Sequence, residues 1–76
     1  MTEEGSPTVT VTVNGARRAA VSGTTVADLV DELTGAASAR GVAVAVNDAV
    51  VPRSAWAGTP LRDGDVVEVL TAVQGG

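Results

Sequence analysis

Thr8-Val-Thr-Val-Thr-Val13 alternates strictly between β-branched polar and apolar residues. A period of two is the signature of a strand with one buried face, and it turns Val9, Val11 and Val13 inward. Asn14-Gly15 follows, a pair that tolerates positive φ, and Arg17-Arg-Ala-Ala-Val21 then reads as the return strand of a hairpin. A two-residue loop sets Arg18 opposite Val11, which buries a charge without a partner. The pattern therefore favours a three-residue loop with a glycine bulge, which aligns Ala19 and Val21 with the inward valines.

The period then changes. Val26, Leu29, Val30 and Leu33 fall at i, i+3, i+4 and i+7, the apolar stripe of an amphipathic helix. Thr25 is placed to accept from the N3 amide of Asp28, whose acidic side chain also suits the dipole at the helix start. Gly35 is placed to end the helix in the left-handed conformation. Ala36 to Gly41 reads as a small-residue connection. Val42-Ala-Val-Ala-Val-Asn47 lacks a polar face, as expected for a central strand covered on at least part of both sides. Asn47-Asp48 is a turn, Ala49-Val-Val51 a short strand, and Pro52 stops further ladder bonding because it has no N–H. Arg53 to Pro60 reads as a loop with a helical turn, and Asp63-Gly64 as a turn before a last strand over Val66 to Ala72. The order β-β-α-β-β-β predicts an α+β roll, with a helix across one mixed sheet and the first and last strands parallel through the helical crossover.

At 76 residues the chain has room for one thin core and none for an internal substrate cavity. It is 45 % hydrophobic with net charge -4, a balance that fits a folded, mildly acidic protein. Nucleic acid is a poor partner because the arginines at 17, 18, 40, 53 and 62 are mostly scattered; a basic protein surface suits the charge better. No run approaches transmembrane length, and Met1 to Pro7 lacks the order of a signal peptide, so no membrane partner is expected and the cytoplasm is the default. Met1 to Pro7 reads as a mobile leader, residues 8–72 as the folded domain and residues 73–76 as an extended tail.

Three absences bear on chemistry. Without Cys there is no disulfide, thiol nucleophile or thiolate ligand, and without His the usual neutral-pH proton shuttle is missing. Without Lys, an activated C-terminus has no side-chain amine of its own chain to acylate. Asp48, Asp63 and Asp65 match no calcium-loop spacing, so no metal is expected. Attention moves to the end of the sequence, where an apolar strand runs into Val73-Gln74-Gly75-Gly76. Glycine has no Cβ, so such a tail fits a slot only as wide as the backbone and leaves its terminal carbonyl carbon open to attack.

The chain resembles the ubiquitin-like β-grasp proteins, and within them the ThiS family of sulfur carriers in thiamin thiazole biosynthesis. The resemblance covers residues 9–76 and rests on Val13-Asn14-Gly15, the helix from Thr25 to Leu33, Val51-Pro-Arg-Ser-Ala-Trp56, and Leu61 to Gly76 with its Ala72-Val-Gln-Gly-Gly76 ending. It implies a sheet of about five strands with one main helix across it and a flexible Gly-Gly tail. It also implies that a ThiF-like adenylating enzyme uses ATP to activate the Gly76 carboxylate. A sulfur-donating enzyme then gives a thiocarboxylate, and a thiazole synthase resembling ThiG takes the sulfur. On that reading the chain is a protein substrate with no catalytic residue or bound cofactor of its own. Gly76 is the reacting residue, Gly75, Gln74 and Val73 are what partner enzymes recognise, and Arg53 and Trp56 are candidates for a partner surface. Trp56 has a second reading, as a cap on a core of small aliphatic residues. Alternatives are a β-grasp carrier for molybdopterin or amino-acid biosynthesis, a ubiquitin-like modifier, and an inert interaction module. The acidic helix face of Asp28, Asp31 and Glu32 is either solvated or a docking face for a basic partner.

Overall fold

A computed structural model describes residues 7–35 and 41–71. Residues 36–40 of the expected connection Ala36 to Gly41, the last strand residue Ala72, the tail and all of the leader except Pro7 lie outside them. The elements are β1 (Thr8–Val13), β2 (Ala16–Val21), α1 (Val26–Thr34), β3 (Val42–Val46), β4 (Ala49–Val51), a 3₁₀ helix (Arg53–Gly58) and β5 (Val66–Thr71). They build one five-stranded sheet in the order β2-β1-β5-β3-β4, in which β5 runs parallel to β1 and antiparallel to β3. With α1 packed across it, this is the β-grasp arrangement.

Alternation sets the core. Val11 and Val13 of β1, Val67 and Val69 of β5 and Val44 of β3 turn to one face and meet Val26, Leu29 and Val30 of α1, with Trp56 and Leu61 closing the cluster. No polar or charged side chain is buried among the described residues. The helix begins as expected. The Thr25 hydroxyl accepts from the Asp28 N–H while the Asp28 carboxylate accepts from the Thr25 N–H, and Gly35 closes the far end at φ 85°. Leu33, the last residue of the stripe, is 40 % exposed.

Two expectations are corrected. The first hairpin has no bulge: Val11 pairs with Arg18 and Val13 with Ala16, leaving the two-residue loop Asn14-Gly15 with φ of 49° and 85°. That geometry matches the right-handed twist of the strands. The objection to it was a buried charge, but β2 is an edge strand and Arg18 reaches past the core to Glu32 on α1, 2.9 Å away, with its side chain 37 % exposed. The stem covers apolar surface while the guanidinium stays wet. Arg18 and Ala20 thus take the inner face, and Ala19 and Val21 are exposed. The second correction concerns the centre of the sheet, which is β5 and not β3. The last strand inserts between the two hairpins. β3 has no polar face because its outward positions are Ala43, exposed, and Ala45, half-buried.

Candidate functional site

Gly76, Gly75, Gln74 and Val73 follow β5 in sequence and lie outside the described residues. What can be built is the platform from which they start. β5 is paired with β3 up to Thr71, opposite Val42. On its other side the register with β1 ends at Val13 and Val67, because β1 turns away at Asn14. There the Asn14 side chain continues the ladder. Its Oδ1 accepts from the Val69 N–H at 2.8 Å and its Nδ2 donates to the Val69 carbonyl at 3.1 Å. A second asparagine acts at the other end of β5. Asn47 Oδ1 accepts from the Val66 N–H at 2.9 Å, and its Nδ2 donates to Asp65 at 2.9 Å.

The loop before β5 is held by its acids. Asp63 accepts from the Thr10 N–H at 2.8 Å, and Asp65 accepts from both the Arg62 N–H and Asn47. These carboxylates serve turn geometry, as Asp commonly does. Among the described residues no group of three or more His, Cys, Asp or Glu is placed to hold a metal ion. Nor is any helix there long and apolar enough to cross a membrane.

Arg53 and Trp56 are brought together on the 3₁₀ helix, the Arg53 guanidinium carbon 6.0 Å from the ring centroid. Their surroundings differ. Trp56 is only 5 % exposed, and its indole N–H donates to the Val51 carbonyl at 2.8 Å, so the ring serves the core and offers no open face. Arg53 is exposed above it. The acidic face of α1 is partly occupied within the fold, Asp28 by the cap and Glu32 by Arg18.

Two features escaped the sequence reading. One is the pair of asparagine clamps, legible in sequence only as turn residues. The other is an apolar patch on the outer sheet face, beside the end of β5. Val50 is 78 % exposed and Leu70 66 %, with Ala43 opposite Leu70, and Ala45 opposite both Glu68 and Val50. Exposed apolar surface of this kind marks a binding face more often than a random surface does. Its sequence signal is the lack of any polar alternation in 42–46, a pattern that fits an exposed apolar face as well as cover on both sides.

The comparisons agree with this architecture. A model of the ThiS family matches residues 11–76. The crystal structure of a thiamine biosynthesis protein (ThiS) from Geobacter metallireducens is 37 % identical at TM-score 0.68, and the match covers 90 % of this chain and 100 % of that one. An NMR structure of a thiamine biosynthesis protein from the same organism is 37 % identical at TM-score 0.69, covering 90 % of this chain and 88 % of that one. No curated protein sequence matches. With a family match running from within β1 through the final glycine, and a mixed β-grasp sheet beneath it, this chain belongs to the ThiS family.

Proposed function

We propose that this chain is a sulfur carrier of thiamin thiazole biosynthesis, a protein substrate for partner enzymes and not itself a catalyst. The observation that carries the reading is the family match through residue 76, which includes Gly75-Gly76 as well as the folded body. The composition agrees, since a chain without Cys or His has few groups of its own for sulfur or proton chemistry.

The chemistry follows from the poor electrophilicity of a carboxylate. A Gly76 oxygen attacks the α-phosphorus of ATP in a ThiF-like enzyme, and pyrophosphate leaves with the bonding pair. A sulfur donor at the oxidation level of sulfide then attacks the acyl carbon, and AMP departs. The resulting thiocarboxylate is a sulfur nucleophile that requires no cysteine from this chain. A thiazole synthase resembling ThiG accepts the sulfur. The partners hold the ATP and supply the catalytic groups. The patch of Ala43, Val50 and Leu70 on the outer sheet face, toward the end of β5, gives them apolar surface to seat against while they take up the tail. A cytoplasmic setting, with no nucleic acid and no membrane, fits soluble partners of this kind.

Intact-mass measurement tests the proposal. Incubation with the adenylating enzyme, ATP and sulfide should yield a chain about 16 Da heavier, oxygen having been replaced by sulfur. The chain lacking Gly76 should give no ATP-dependent product. No mass change in the full chain, transfer of the sulfur only to a synthase other than the thiazole enzyme, or lysine conjugates of higher mass would each overturn it.

A further inference from the structure

The double contact between Asn14 and Val69 does more than a turn requires. A two-residue hairpin asks only that position 14 accept a positive φ, here 49°. It does not ask that the side chain aim both its donor and its acceptor at a residue 55 positions away. Val69 has lost β1 as a neighbour, because β1 has already turned. The Asn14 backbone N–H closes the Val67 carbonyl at 2.9 Å, and its amide then closes both backbone groups of Val69. Asparagine unites the needed properties: it tolerates the left-handed region, and its short side chain ends in one acceptor and one donor group.

We infer that Asn14 is a positioning residue. It fixes where the polypeptide stands between Val69 and Thr71, the point from which residues 72–76 must start, and so how well the activating enzyme engages the C-terminus. The part of this inference that concerns the enzyme rests on the sulfur-carrier reading; the part that concerns β5 does not. A body whose strand end is held in place only part of the time binds as if diluted by that fraction, so a looser β5 is read as a raised KM with the chemical step unchanged.

The test uses the full chain with Asn14→Gly, which keeps the backbone conformation and removes the clamp. Asn14→Asp keeps the acceptor and removes the donor. Asn47→Gly makes the same change at the other turn. Amide exchange compares Val69, whose N–H meets Asn14, with Glu68, whose N–H faces β3 by strand alternation. In Asn14→Gly, Val69 exchange should accelerate by about tenfold relative to Glu68, the mark of a local opening. In Asn47→Gly the ratio should stay as in the wild type. Steady-state adenylation, well below the melting temperature, should show KM raised about tenfold or more for Asn14→Gly, an intermediate rise for Asn14→Asp, little change in kcat, and wild-type constants for Asn47→Gly. Equal acceleration of Val69 and Glu68, or equal KM for all the variants, would overturn the inference. A wild-type chain that is never adenylated would defeat the sulfur-carrier reading, while the exchange ratio would still decide whether Asn14 holds β5.

Discussion

Asn14-Gly15 and Asn47-Asp48 are hairpin turns built alike, and they grip opposite edges of the same strand. In both, the first residue is an asparagine with φ near 50°, whose backbone N–H donates into β5 and whose side chain accepts from a β5 amide. They differ in where they grip and in what surrounds them. Asn47 holds Val66, at the start of β5, through exposed bonds. Asn14 holds Val69, toward the end that leads to the C-terminus, through partly buried ones. Similar local chemistry thus serves two purposes, and the difference comes from which end of the central strand each turn meets. The local sequence is nearly silent on this, because the partners lie 19 and 55 positions away.

The largest expected effect sets a baseline for the comparison. Leu29 is 2 % exposed beneath the sheet, and Leu29→Ala should destabilise the fold by about 2–5 kcal/mol, read by denaturant unfolding. Both clamps remain in that variant. Val69 and Glu68 exchange should therefore rise in equal proportion through global opening. A selective loss at Val69 would mean that core packing, and not Asn14, holds the end of β5.

The turns themselves come next. Removing a partner from a buried group costs its full desolvation, so Asn14→Gly should lose about 1–3 kcal/mol. Asn47→Gly exposes groups that water can reach and should lose less, about 0.5–1.5 kcal/mol. Both values come from the shift in unfolding midpoint at constant slope. Equal losses, or a larger one at Asn47, would break the distinction between a partly buried clamp and an exposed one.

Local pattern and long-range pairing divide what the sequence could tell. The strands, the helix with its Thr25–Asp28 cap, the Gly35 stop and the turns at Asn47-Asp48 and Asp63-Gly64 all rest on neighbours within a few residues, and each was readable. The hairpin loop is not legible for a physical reason: an arginine at an inward register position implies a buried charge, whereas at a sheet edge it extends past the core to Glu32. The place of β5 between the hairpins depends on pairings far apart in the chain. The apolar run of 42–46 suggested a centre that the last strand occupies instead. Of the candidate site, Gly75-Gly76 carried a compositional signal, whereas Arg53 and Trp56 carried one that did not separate surface from core. The structure separates them, with Trp56 buried and Arg53 exposed.

The smallest effect sharpens the likeness between the turns. Gly15 and Asp48 occupy the same position, at φ of 85° and 70°, and a two-residue turn of this type favours glycine there. Asp tolerates the left-handed region better than most residues but retains part of its steric cost, which is on the order of 1 kcal/mol for an ordinary side chain. Glycine removes that cost and returns some of the gain through greater freedom in the unfolded chain. Asp48→Gly should therefore stabilise by about 0.5 kcal/mol, and Gly15→Asp should destabilise by a similar amount, since open space surrounds the added Cβ and only the backbone objects. Thermal unfolding of both variants checks this. Stabilisation at Asp48 without a matching loss at Gly15 would show that the two turns, for all their shared geometry, carry different backbone strain.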